Sequence, residues 1–598
     1  MTPLAGWRPD ADPTTPGIFT DCQHVVSTLY GYVGAPAPIA AAVASVGAAV
    51  RGAIVATDLS GNRAIYAGTQ TKLYQLAGSA WVDQSAGALA APVQGAISTT
   101  LTGGTLPAAT YYYVITALNA FGETLASNEM SIATTGATSK IQVTWAAVAG
   151  ATGFKVYRGT AAAGENIWFS LTPTPLYFTD IGPGGPLPTA GLPPTANTSG
   201  GYVGSSESRW SFCQFGDTTM ASNLADPMQE KKKGASVFSA VPTAPKAKVI
   251  VSANNNFVLA FNTNEGTYGP SPDRWWCCAQ NNQDDWAPNV STGANTGRLI
   301  AGQGPITAAG TLGDYVVAYK KESLFLGSFV GSPVQWQWNM IPGGTAGCIG
   351  QDAWCNIGGA HFIVGGDMFW IFDGTRPQPF GLGNTRDWFY QNSSPVWRYR
   401  TQAIYDKINK LVRIAYPSVS STGQLDATLT VNIATTFWSR DDNLLASFIN
   451  FVQPGTTIDG MNTYAATINA LPNVPVDSPF WSAGGESASY FDNTGKLWNL
   501  SGTTQASYIV TGDVGDDDGV SMIDHFRIRY SLRPKTASCT GQYKMNEGDA
   551  FVPGPVNAIN DGKFDIRQSA RFHRFRVDMT GAHTETAYDA QPRKAGMR

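Results

Sequence analysis

Charge is scarce in this chain. Only 14% of its 598 residues are Asp, Glu, Lys or Arg, against about 25% in an ordinary soluble domain. Acidic residues outnumber basic ones, 43 to 39, for a formal net charge of −4. A protein that grips DNA by its backbone needs a basic surface, so this chain can touch DNA without holding it. Histidine is scarcer still: His24, His361, His525, His573 and His583. Neither G-x-S-x-G nor H-E-x-x-H occurs, which leaves serine-hydrolase and zinc-protease chemistry unsupported. Seven cysteines make an odd set, and the adjacent pair Cys277–Cys278 suits a disulfide framework poorly. Cys348 and Cys355, with His361 nearby, lack the close paired spacing of a zinc site. Buried thiols in a protein assembled in a reducing cytoplasm are expected instead. No long, strongly apolar run is present. Pro38 to Thr57 is Ala, Val and Gly interrupted by Arg51, whereas a spanning helix takes about 20 predominantly apolar residues. The start, MTPLAGWRPDADPTTPG, lacks the basic end and apolar core of a signal peptide. A soluble chain with no membrane span is expected.

Turn and strand formers are abundant: 65 Gly, 36 Pro, 17 Trp, 23 Tyr and 27 Phe. The stretch Asp314 to Asp387 shows their arrangement. DYVVAY turns through KKES into LFLGSF, and HFIV turns through GGD into MFWIF. Short β-branched and aromatic runs bounded by turn residues predict hairpins. The same device recurs in AIVAT–AIYAG–KLYQL, in SFCQFG–DTTMAS and in KVIVSA–NNNFVLAF. It returns in QAIYDKINKLVRIAYP, ATLTVNIATTFWSRDD and SASYFDNTGKLWNLSG. MIDHFRIRYSLRP should pair with a later strand, and RQSARFHRFRVDM is the last clear strand. Hairpins repeated without a fixed sequence period predict an all-β fold, a β-propeller of six to eight blades at about 40–50 residues each. An N-terminal strand closing the last blade would remove the open edge.

Composition turns to Thr, Ala and Gly near Pro92 and ends in the linker GPGGPLPTAGLPPTANTSGG. Between them, TYYYVITAL, IQVTW and GFKVYR alternate around aromatic residues, which predicts an immunoglobulin-like sandwich. YYYVITALNAFGET and VTWAAVAGATGFKVYRG resemble fibronectin type III modules, with the tyrosine strand preceding the tryptophan strand. The expected organisation is an extended arm over 1–20 and first propeller strands over 21–91. The immunoglobulin/fibronectin III-like insertion covers 92–198, and the rest of the propeller with C-terminal strands covers 199–598.

RWSFCQFGDTTMASNLADPMQ, YKKESLFLGSFVGSP, FIVGGDMFWIFDGT, NTRDWFY and DGKFDIRQSARFHRFRVDM together resemble the tail nozzle proteins of short-tailed bacteriophages, also called tail tubular protein B or tail hub. The matches run from Arg209 to Met579. The resemblance implies a structural virion protein of the viral tail, built in the host cytoplasm, with a β-propeller core. It implies a homo-hexameric ring below the head–tail adaptor ring, forming the distal conduit for DNA ejection and docking tail fibres or spikes. Genomic DNA would touch the lumen only in passing. No enzymatic activity, cofactor or metal is implied. The alternative is a propeller glycosidase, needing two carboxylates across a cleft for which Asp284 and Asp285 are candidates, or a glycan-binding tail adhesin.

Possible contacts with DNA or a partner are Lys231, Lys232 and Lys233, otherwise a solvated loop. Arg571, Arg574 and Arg576 in RFHRFRV are a second set, otherwise a packed strand at a subunit border. Asp513, Asp516, Asp517 and Asp518 lack the alternation of a calcium loop and read as a solvated acidic turn. Trp275, Trp276, Trp286, Trp336 and Trp338 can bind sugars or pack between blades.

Overall fold

A computed structural model describes residues 2–119, 121–342, 344–452, 467, 470 and 486–596. The chain is nearly all β. Seven four-stranded antiparallel sheets account for most of it, here lettered A to G in chain order. Sheet A holds Ala53–Thr57, Arg63–Gly68, Leu73–Ala77 and Ala80–Asp83. Sheets B, C, D and E begin with Ser211–Phe215, Lys246–Ala253, Ile306–Leu312 and Trp354–Asn356. Sheet F runs from Gln402–Asp406 to Trp438–Asp441. Each of A to F is a simple meander; most successive strands are joined by short polar or glycine turns that favour antiparallel return, with longer connections such as residues 278–294 in sheet C and 417–426 in sheet F.

Sheet G differs. Three strands, Ser447–Val452, Glu486–Phe491 and Leu497–Thr504, are sequential. The fourth is Pro36–Ala40, which pairs antiparallel with Leu497–Thr504 in the register Asn499↔Ile39. An N-terminal strand therefore completes the last sheet and covers its edge. The first strands of neighbouring sheets touch: A with B, B with C, C with D, E with F, F with G, and G with A. Between D and E the contact is the Trp354 indole lying on Gly310. A β-carbon at Gly310 would stand 1.9 Å from the ring, so only glycine admits the indole there. His361 adds a hydrogen bond from Nε2 to the Thr311 carbonyl at 2.8 Å.

The tryptophans fill the spaces between sheets. Trp275, Trp336 and Trp338 pack with Phe257 and Phe261 between C and D. Trp276 and Trp286 lie in the B–C core beside Met220 and Val258. Facing large side chains from successive sheets is what spaces sheets about 10 Å apart.

Between sheets A and B the chain leaves to build a sandwich with its own core. Gln94–Thr100, Lys140–Trp145 and Tyr177–Asp180 form one sheet; Thr110–Leu118, Gly153–Gly159 and three shorter strands form the other. Ile141, Val143 and Trp145 face inward, as the period-2 pattern requires, against Tyr113, Ile115 and Val156. The neck is tight: Leu89 N–H donates to Ser199 Oγ at 2.8 Å and Gly201 N–H to the Ala86 carbonyl at 3.0 Å.

The ends of the chain depart from expectation. Residues 2–20 are not a free arm: with the residues up to Gly34 they form short strands of a terminal body that joins sheet F through Trp7↔Trp438. Thr2–Pro3 pairs with Thr584–Ala590, Gly6–Trp7 runs parallel to Ile18–Gln23, and Ile18–Gln23 pairs with Ser507–Thr511. Pro9, Pro13 and Pro16 fall in the loop between these strands, where no ladder hydrogen bond is lost. The C-terminal strands from Ser507 onward form the other half of this terminal body. Its core unites Phe19 and Tyr32 with Phe526, Phe564, Phe575 and Val577. RQSARFHRFRVDM is two strands, Lys563–Ala570 and Phe572–Thr580, broken at Arg571.

Candidate functional site

The first strands of all seven sheets line one central cavity of about 700 Å³. Its walls are mostly small and aliphatic, Gly52 to Val55, Val249 to Ser252 and Ala309 to Thr311 among them. Its carboxylates are Asp352 and Glu486. Each is paired: Asp352 with Arg209 at 2.5 Å, Glu486 with Lys407 at 3.2 Å.

The lysine run lies away from this cavity, at the outer part of sheet B. Lys231 is buried, with Nζ donating to Gln84 Oε1 at 2.8 Å and to the Ala235 carbonyl at 2.5 Å. Burial lowers its pKa. Lys232 bonds Asp284 at 2.6 Å and approaches Glu230 at 3.3 Å; the Asp284 hydrogen bond raises its pKa. Lys233 reaches Asp58 at 3.0 Å and Asp217 at 3.7 Å. The three cations tie sheet B to sheet A and to the loop between the last two strands of sheet C. The carboxylate Asp284 is thus a lysine partner, outside the central cavity.

Arg574 donates from Nε and Nη2 to Asp513 Oδ1 at 2.9 and 2.7 Å, and Lys544 stands 3.6 Å from the same carboxylate. Arg576 pairs with Asp578 at 2.8 Å and stacks over the Tyr508 ring at 3.7 Å. Arg571 occupies the break between the two last long strands, half-buried. Arg574 and Arg576 share a strand, but the three arginines do not share a site. Asp513 is buried in its ion pairs, whereas Asp516, Asp517 and Asp518 form an exposed turn, so the four carboxylates do not converge. Among the described residues no three His, Cys, Asp or Glu side chains are grouped to hold a metal.

All seven cysteines are buried free thiols. Burial pushes Cys277, Cys278 and Cys348 up to about 12, which keeps them protonated and unreactive. His361 is wholly buried. Its Nε2 donates to the Thr311 carbonyl, and its Nδ1 shares a 2.6 Å hydrogen bond with the Tyr319 hydroxyl, which can donate to the neutral ring. Burial pushes its pKa down to about 4. The folded state therefore resists a proton that the unfolded state accepts near 6.5. The stability this confers is present above pH 6.5 and is lost as pH falls toward 4, about 2 kcal/mol of it by pH 5. His361→Gln should flatten the acid limb of stability measured by denaturant melts between pH 7 and 4.5; an unchanged slope would refute the assignment. His573, hydrogen-bonded to Ser521 and Gln568 and also lowered by burial, adds a term of the same sign.

The residues that sequence reasoning missed are those at the start of the first strands of sheets A, B, E and F: Arg51, Arg209, Gln351, Asp352 and Gln402. The signal available was a charged or amide residue just before or at the start of the first strand of successive hairpin units.

No protein-family model matches the sequence, and no curated protein matches it. Among solved structures it is similar to the computationally designed Ika8 protein, with TM-score 0.32, 7% identity, and coverage of 78% of this chain and 100% of that one. A glycoside hydrolase gives TM-score 0.21, 9% identity, 64% and 96% coverage. The Niastella koreensis GH74 enzyme gives TM-score 0.17, 9% identity, 89% and 91% coverage. Likenesses of this size carry no argument about what the chain does.

Proposed function

We propose that this chain is a seven-bladed β-propeller with an immunoglobulin/fibronectin III-like sandwich between its first two blades, serving as a structural, non-enzymatic subunit of the tail nozzle of a short-tailed phage. The reading rests on the residues from Arg209 to Met579 that resemble that family. The observation that carries it is the double clasp of the chain ends. Pro36–Ala40 completes sheet G, and residues 2–34 are laced into the C-terminal strands. A wall subunit must not open under load, and closing both ends through antiparallel ladders leaves no terminal sheet to peel.

The chemistry agrees with a wall. The carboxylates of the central cavity are each neutralised by a cation, whereas glycoside hydrolysis needs an acid and a base or nucleophile facing one another across a substrate. Of the lysines and arginines expected to meet DNA, Lys232, Lys233, Arg574 and Arg576 are spent on carboxylates of this chain, and Lys231 on Gln84 and the Ala235 carbonyl. A conduit lining without free cations lets DNA slide. In this reading the conduit is the lumen of a homo-hexameric ring, closed by heterologous contacts, and the sandwich offers a dock for fibres or spikes.

Native mass spectrometry and class averages of the purified chain, alone and with its adaptor ring, are the test. Six-fold rings are expected; a monomer that persists with the adaptor present, or release of sugars from host polysaccharide, would overturn the proposal.

A further inference from the structure

The central cavity shares Gln351, Asp352 and Gln402 with a second chamber of about 530 Å³. This chamber lies where the first strands begin. Four cations line it, Arg51, Arg209, Lys248 and Arg400, against two carboxylates, Glu207 and Asp352. Asp352 is taken by Arg209 at 2.5 Å. Glu207 is taken by Arg400 and by the Tyr399 hydroxyl at 2.7 Å. Two positive charges are left over. Arg51 gives one Nη1 hydrogen to the Ser206 carbonyl, and Lys248 has no hydrogen-bond partner among the described residues. Gln351 Nε2 is buried beside them, also without an acceptor. Burial lowers the pKa of both Arg51 and Lys248, and the neighbouring Arg209 adds to the effect at Arg51.

Two surplus cations and an idle amide donor facing one chamber, with Glu207 and Asp352 already engaged by Arg400 and Arg209, favour a further negative group within it. Hydrogen bonds from such donors to an ionised oxygen are about twice as strong as neutral ones. The volume falls within the roughly 300–1,000 Å³ of small-molecule sites.

We propose that this chamber binds a small oxyanion, a phosphate or carboxylate carried on a body of monosaccharide size, with Lys248 and Arg51 as its charge partners and Gln351 as a further donor. The site depends on the cavity alone and stands whether or not the tail reading does. Anion entry would tie the segments before sheets A and E, at Arg51 and Gln351, to the first strand of sheet C at Lys248, which couples occupancy to stiffness between these sheets.

The test is isothermal titration of the full chain, in a low-salt buffer free of phosphate and carboxylate, with glucose 6-phosphate, glucuronate and glucose. At least one charged sugar is expected to bind and glucose is not; the tighter of the two anions identifies the oxyanion. Lys248→Met and Arg51→Gln should each weaken that binding about tenfold or more. Circular dichroism melts establish that each variant is folded. Failure of both anions to bind the unsubstituted chain, equal binding of glucose, or unchanged affinity in both folded variants would overturn the proposal.

Discussion

Deleting residues 1–40 is expected to leave no cooperatively folded protein. The segment supplies the fourth strand of sheet G, so its removal exposes the whole edge of Leu497–Thr504, and an unpaired edge of that length invites aggregation. It also supplies Trp7, Phe19, Cys22, Val25 and Tyr32, each at most 1% exposed in the terminal core. Burying a large apolar side chain is worth about 1.5–3 kcal/mol. Five together amount to about 10 kcal/mol, which matches the entire stability of an ordinary domain. The loss does not stay local, because Phe19 and Tyr32 pack in the same core as Phe369 and Trp438 of sheets E and F. Excision of residues 92–198 is the control. That sandwich has a separate core and a neck whose two strands are already hydrogen-bonded together, so its removal should leave a soluble chain with a sharp thermal transition. A 1–40 deletion that stays soluble and melts sharply at the parent temperature would show that the ends are ornaments.

The hairpins were legible because their information is local. DYVVAY–KKES–LFLGSF and QAIYD–KINK–LVRIAY each contain both strands and the turn that joins them, and the period-2 pattern fixes which face is buried. What was not legible is long-range pairing. Nothing in GWRPDADPTTPGIFTDCQ states that Gly6–Trp7 runs parallel to Ile18–Gln23, or that Asp21 finds Val510. The prolines argue against regular structure only where they stand, in the loop between. The same limit applies to the charged candidates. A run of three lysines looks like a patch in sequence, yet its partners Asp58, Asp217 and Asp284 come from three other connections between strands. Conversely, Arg51, Arg209, Lys248 and Arg400 are scattered over some 350 residues and look like nothing. They meet because each stands at or near the first strand of a different sheet, and first strands of neighbouring sheets touch. Arg51, Arg209 and Arg400 each stand two residues before the first strand of a hairpin unit, so that alignment of the units on those strands stacks the three in one column.

Trp438→Ala is expected to cost about 3–5 kcal/mol, the usual range for emptying a buried aromatic site. Trp438 closes sheet F and is fully buried. Its ring centroid lies 5.1 Å from Phe369 and 5.8 Å from Phe380, both in sheet E. Its backbone pairs with Trp7, and its carbonyl accepts the Tyr32 hydroxyl at 2.9 Å. The side chain thus sits where two sheets of the series meet the terminal body. These neighbours belong to different ladders and cannot collapse together into the vacancy, which places the cost at the upper end of the range. The indole Nε1 has no hydrogen-bond partner, so Trp438→Phe loses volume and no polar contact and should recover roughly half of the stability. Tyr32→Phe tests the other side of the junction. The Tyr32 hydroxyl accepts from the Trp7 N–H at 3.0 Å as well as donating to Trp438, and removing it strands both groups for about 1–3 kcal/mol. Because Trp438 and Tyr32 act at one joint, the Ala and Phe variants combined should cost less than the sum of the two singles. Denaturant melts of the singles and the double measure this directly. Strict additivity, or a loss below about 1 kcal/mol for Trp438→Ala, would mean that the sheet series and the terminal body are held together elsewhere.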